Sequence, residues 1–246
     1  MHTQTLRHWF DLACKYKNQE DPRLYLIAAA VSYTLVMACY WGPALGQNET
    51  VYLVKSRNLA VDGFLGTNGG TPWLDLNFMF NILLSPLWWL TQEPIKVALV
   101  ARAIIWLPVV YSVARLARQL RVPPLFFICG FFVWLIKFQY LGAHESIFVS
   151  IEQKVCAYGF AFAALTNLMC NRVRRAAVFA GAAVLFHILV GGWFLMGLGI
   201  AMLADRRRFP LSQIVTFVLI SGVVITPMII PVMKHMSSNT SAAAPE

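Results

Sequence analysis

Apolar runs alternate with short polar breaks along this chain, and the lengths of the runs decide its architecture. Roughly twenty apolar residues at 1.5 Å rise cross the hydrocarbon layer of a bilayer once. Runs of that kind begin near Leu24, Trp73, Pro123, Val155 and Leu211. The stretch from Ala176 to Ala204, bracketed by Arg174-Arg175 and Arg206–Arg208, is too long for one upright span and too short for two. It predicts a hairpin of two half-length helices, about 176–189 and 193–204, that meet at the Gly191-Gly192 pair with His187 beside the turn. The whole pattern predicts an all-α fold. The chain is expected to be a polytopic helical membrane protein with about six to eight transmembrane or half-membrane helices, the 176–204 hairpin included.

The breaks divide the rest. In residues 1–23, Leu6, Trp9, Phe10 and Ala13 have i, i+3, i+4, i+7 spacing, which fits a cytoplasmic interfacial helix as well as a polar tail. Residues 24–233 form a single transmembrane domain, opening with a span from Leu24 to about Tyr40 and followed by an outer loop over 41–72. Within that loop a short helix is predicted, with Asn48 as N-cap and Glu49 at its positive end. Hydropathy alone places two spans between Trp73 and Ala117, about 74–91 and 97–117. Two crossings would put Arg115, Arg118 and Arg121 on the opposite side from the other basic clusters, so one net crossing is expected, with Pro86 and Pro94 as breaks. Arg102, six residues beyond Lys96, either snorkels to an interface or faces a polar cavity. Spans follow over Pro123–Gly142, Val155–Cys170 and Leu211–Met233, and the polar tail 234–246 reads as disordered.

Composition names the solvent. Hydrophobic residues make up 59% of the 246, charged residues 13%, and the mean hydropathy is +0.62, values that exclude an ordinary soluble domain. The net charge of +9 sits in short clusters between apolar runs, the pattern of cytoplasmic loops and not of a nucleic-acid-binding face. The expected setting is a bacterial inner membrane with the amino terminus in the cytoplasm. Cysteines 14, 39, 129, 156 and 170 show neither disulfide-scaffold nor metal-site spacing.

On this topology Glu49, Asp62, Asp75, Glu145 and Glu152 fall on the outer face, and the arginine groups fall inside. Such carboxylates can hold a divalent cation beside a phosphate or accept a proton from an attacking hydroxyl. Lys55, Arg57, Lys154 and His187 can meet a phosphate's charge. The plainer reading is that loop charges solvate loops and that Glu49 is a helix-start residue. No phosphate-binding Gly loop, H-E-x-x-H or G-x-S-x-G is present.

The order of these features resembles the amino-terminal module of class C integral-membrane glycosyltransferases. In that superfamily an acidic motif opens the first outer loop and a Tyr follows, similar here to Asn48-Glu49 with Tyr52. A second acidic residue precedes a later span, as Glu145 or Glu152 does, and a basic cluster leads into a small-residue hairpin with a polar residue near its tip, as Arg174, Arg175, Ala180, Gly181 and His187 do. The first residue of the acidic pair is Asn48 here, which leaves Glu49 as the local candidate base. The resemblance implies transfer of a sugar from a polyprenyl-phosphate carrier to an acceptor on the outer face. Glu49 would be catalytic, and Tyr52, Arg57, Glu145, Glu152, Lys154 and His187 would bind substrate, with membrane lipid as the surroundings. Two other classes fit the same pattern: a transporter subunit with a path along Arg102 and His187, and a membrane scaffold without a site.

Overall fold

The structure is a computed structural model that describes residues 21–43, 45, 47–62, 77–137 and 147–242. Its regular elements are all helices, and the described residues contain no strand. Helix α1 is Pro22–Tyr40, α2 Gln47–Asp62, α3 Phe78–Leu84, α4 Leu87–Leu90, α5 Pro94–Gln119, α6 Pro124–Lys137, α7 Gln153–Met169, α8 Val173–Phe186, α9 Ile188–Ala204 and α10 Leu211–Ala242. Three segments, Pro22–Tyr40, Pro94–Gln119 and Leu211–Ile229, are long and apolar enough to cross a membrane. Ile104, Leu107, Val218 and Val223 on these helices are exposed, so apolar side chains point outward as well as inward. A helix that is apolar all round suits a lipid solvent, and the chain is a membrane protein by helix length and composition.

Side-chain hydrogen bonds fix which helix ends lie together. Tyr25 at the start of α1 donates to the Val122 carbonyl beyond α5, at 2.7 Å, and Tyr40 at its end donates to the Leu135 carbonyl of α6, at 2.9 Å. Arg208, after α9, donates to the Met169 carbonyl and to Asn171 Oδ1 between α7 and α8. Arg115 near the end of α5 lines one recess with Asn167 and Arg174, so the start of α1 and the α5–α6, α7–α8 and α9–α10 connections share one end, which carries Arg118, Arg121, Arg172 and Arg206–Arg208 and is called the basic end. Two of these connections are tight for a local reason. Arg121 and Asn171 adopt φ 56°, and the next residues donate backward, Val122 to the Ala117 carbonyl and Arg172 to that of Asn167, closing each helix as a Schellman cap.

In the region that hydropathy divides in two, the long helix α5 is long and apolar enough to cross a membrane. The other hydrophobic maximum, 74–91, becomes the short helices α3 and α4, broken at Ser85-Pro86 and packed on α2. Trp88 Nε1 donates to Ser56 Oγ at 2.9 Å, which seats α4 against α2.

The 176–204 hairpin is present, with a different tip. Its chain breaks at His187, whose φ −154° and ψ 107° are extended, and Gly191-Gly192 lies inside α9. His187 Nδ1 accepts from Val190 N at 3.2 Å, so this imidazole caps α9. Gly191 has another use: a Cβ there would overlap the backbone of Ala183 and Val184, so the glycine lets the first turn of α9 lie on the last turns of α8. A glycine pair inside a membrane helix keeps its hydrogen bonds within the segment, whereas a turn there would leave them to be satisfied elsewhere.

Small residues do most of the helix packing. Ala161, Ala164, Ala176, Ala177, Ala180 and Ala183 are buried where α7, α8, α9 and α10 meet, and Ser221 on α10 donates to the Ala177 carbonyl at 3.1 Å. The tail differs from its expected disorder, for α10 continues through it to Ala242. No Gly or Pro stands between Pro231 and that residue, and extending an existing helix is far easier than starting one.

Gly191→Leu is expected to lower stability by about 1–3 kcal/mol through overlap. Gly192→Ala, where the added Cβ meets nothing within 4 Å, is expected to be neutral or stabilising. Thermal melting of both variants in one detergent checks the contrast. Equal losses at the two glycines would contradict the packing of α8 on α9.

Candidate functional site

The chain gathers charge inside its apolar body at the end opposite the basic one. Glu49, in the first turn of α2, is fully buried. Arg102, eight residues into α5, is buried too and faces it. The pair is bidentate: Arg102 Nε donates to Glu49 Oε1 at 2.9 Å and Nη2 donates to Oε2 at 2.7 Å. Arg102 Nη1 donates to the Gly42 carbonyl just beyond α1, at 2.6 Å, and the guanidinium lies 6.0 Å from the Trp106 ring centre. The two expectations for Arg102 are thereby resolved. It faces inward.

A second element joins the pair. Residues 147–152 have no regular structure, yet Ile147, Phe148 and Ile151 are fully buried. Irregular backbone in such a place needs hydrogen-bond partners from protein. The Ile151 N–H finds one in Glu49 Oε1, at 3.1 Å. Phe148 anchors the segment among Trp106, Phe131 and Trp134, with ring centres 5.8 to 6.0 Å away. One residue beyond Ile151, Glu152 accepts from Ser150 Oγ at 2.8 Å and pairs with Lys154 at 2.6 Å, both charged side chains being buried.

The remaining candidates scatter. Tyr52, one turn along α2 from Glu49, packs edge-on to Phe80 with ring centres 5.1 Å apart. Arg57 is exposed on α2, and His187 is the cap of α9 already described. Asn48 lies within α2, which begins at Gln47, and so does not stand before the helix as its N-cap. Asp75, His144 and Glu145 lie outside the described residues, as do residues 1–20 of the expected interfacial helix.

The structure adds Arg102 and Ser150 to the buried polar cluster, together with the Ile151 N–H and the Gly42 carbonyl. A lone arginine inside an apolar run was the signal for the first. No sequence signal marks a backbone group. A divalent cation suits this donor set poorly. The described carboxylates of the cluster, Glu49 and Glu152, each already face a cationic side chain, and among the described residues no three of His, Cys, Asp and Glu gather in one place.

Removing one member of a buried pair leaves the other charge uncompensated. Glu49→Gln and Arg102→Met are each expected to cost about 3–5 kcal/mol, and the double substitution much less than their sum. Denaturant unfolding of the three variants in detergent forms the cycle that measures it. Additive losses would mean that the two side chains act independently.

No protein-family model, curated protein or solved structure matches this chain.

Proposed function

We propose that this chain is a membrane glycosyltransferase-like protein of the class C type, moving a sugar from a polyprenyl-phosphate carrier to an acceptor hydroxyl at the carboxylate end of its helices. One observation carries the reading: the Ile151 N–H bond to Glu49 brings the buried carboxylates Glu49 and Glu152 to a single place although they lie on segments far apart in sequence. The class C superfamily that the chain resembles likewise has acidic residues in two separate outer segments.

The roles divide by the partners' chemistry. Glu49 is held by a planar guanidinium fork and a backbone N–H, an arrangement suited to fixing a segment in place. Glu152 is paired with an ammonium on a flexible stem, which an incoming phosphate can draw away. In the proposed reaction the acceptor oxygen bonds to the sugar's anomeric carbon, and the bond from that carbon to the phosphate oxygen breaks. The acceptor proton passes to Glu152, and Lys154 meets the charge on the departing lipid phosphate. Glu49 and Arg102 position Glu152. The basic end then faces the cytoplasm of a bacterial inner membrane, with the amino terminus on the same side.

A second reading, a membrane scaffold without catalysis, is favoured by the engagement of both Glu49 oxygens in a buried ion pair.

The reaction is tested with the purified protein in liposomes and labelled polyprenyl-phosphate hexoses. Wild-type protein is expected to release lipid phosphate and label an acceptor, and Glu152→Gln to lower the rate per folded molecule by roughly 10²–10⁴-fold, with some loss of melting temperature because Lys154 is left buried without its carboxylate. Absence of transfer from every donor tried favours the scaffold. Sidedness is checked separately on a cysteine-free background. Cysteine probes at the exposed positions Thr50, Asn171 and Asp205 should label from outside at the first and only from inside at the other two.

A further inference from the structure

At the basic end, α5, α7 and α8 enclose an open recess of about 480 Å³ lined by Arg115, Asn167, Arg174, Arg175, Val178 and Phe179. Two separate helices contribute its arginines. None of the three has a carboxylate partner among the described residues, and the Arg115 guanidinium lies 5.8 Å from the Tyr111 ring centre. The local backbone adds to the positive charge. Helix α8 starts at this recess, its N-cap residue Arg172 makes no side-chain cap bond, and its first turn contains no acidic residue. Arginines at the positive end of a helix repel the helix dipole, and an anion between them reverses that unfavourable term.

The two remaining walls specify the kind of anion. Val178 is 45% exposed and Phe179 half-buried, so an apolar strip runs from the arginines along α8 toward its middle. A charged head with an apolar tail fits that sequence of surfaces, and a small soluble anion uses only half of it. The level also agrees, because Arg115 lies near the end of the crossing helix α5, where basic pockets between membrane helices meet lipid head groups. The recess is separate from the carboxylate cluster: Arg102 and Arg115 are thirteen positions apart on one helix, about 20 Å along its axis.

We infer that this recess binds the phosphate of an anionic membrane phospholipid, with Arg115, Arg174 and Arg175 around the phosphate and one acyl chain along Val178. This assignment stands whether or not the chain transfers sugars.

Native mass spectrometry of the full chain in a neutral detergent tests it, with phosphatidylglycerol and phosphatidylcholine of identical chains as probes. The expected result is preferential retention of phosphatidylglycerol. That preference should fall about fivefold in Arg115→Gln and by well over tenfold in the triple variant Arg115→Gln, Arg174→Gln, Arg175→Gln. Arg206→Gln with Arg207→Gln removes two charges from the same end without touching the recess lining, and should leave the preference in place. An equal loss in that control would show diffuse surface charge and overturn the site, as would an unchanged preference in both Arg115 variants. Inorganic phosphate is added in a further arm. If millimolar phosphate displaces the lipid and alone raises the melting temperature as much, the ligand is free phosphate and the lipid assignment fails.

Discussion

The ion pair between Glu49 and Arg102 is the constraint on which the carboxylate end depends. Taking either charge into the apolar body alone would cost several kcal/mol, so the two must arrive together and with their remaining hydrogen bonds met. The complete arrangement draws on four different parts of the chain. The arginine comes from α5, the carboxylate from α2, an acceptor from the Gly42 carbonyl after α1, and a donor from Ile151 in the irregular segment before α7. Each of those segments is held where its partner needs it. A buried pair of this kind adds little net stability compared with apolar residues of equal volume, but it permits few alternative arrangements, because any shift of one segment strands a charge.

That constraint explains why an unstructured stretch can be buried at all. Backbone polar groups inside an apolar body need partners, and a loop cannot supply them to itself as a helix does. Glu49 supplies one, and the aromatic group around Phe148 supplies the apolar contact. The other half of the molecule is organised differently. Where α7, α8 and α10 meet around Ala164, Ala177 and Ser221, no charged side chain among the described residues is buried, and close approach rests on alanines, on Gly181 facing Val224 and on the Ser221 hydroxyl bond. Lipid is as apolar as a leucine side chain, so helices there associate through contact and hydrogen bonding and not by escape from solvent.

Much of this was legible in the sequence where it rested on length and charge. Run lengths gave Pro22–Tyr40 and Leu211–Ile229 as helices long and apolar enough to cross a membrane, and the rule that arginine clusters share one side favoured a single such helix over 73–117, where α5 has that length. The same rule put Arg174 and Arg206–Arg208 at one end, and Arg208 does bond to the turn that precedes α8. What failed was local. A glycine pair was taken for the hairpin tip because glycine permits turns, but its small size serves helix contact here, and the break fell at a histidine that can cap the following helix. The pairing of Glu49 with Arg102 was out of reach for another reason. The two are 53 positions apart, and no local periodicity connects them.

The two ends of the molecule handle charge in opposite ways, and this bears on where chemistry can occur. At the carboxylate end Glu49, Arg102, Glu152 and Lys154 are buried and matched, so their fields largely cancel unless something separates a pair. At the basic end Arg174 and Arg175 are exposed and have no carboxylate partner among the described residues, so their field extends into the surroundings until an anion or salt screens it. An unmatched cluster binds from the start and changes little on binding. A matched pair must first be opened, and the cost of opening makes it selective for a ligand that replaces both halves of what it breaks. A phosphate bearing a sugar offers such a replacement, an anion for Lys154 and a hydroxyl for Glu152. In the proposed reaction the Lys154–Glu152 pair is therefore the part of the cluster that opens to substrate, and the bidentate Glu49–Arg102 pair is the support that holds it in place.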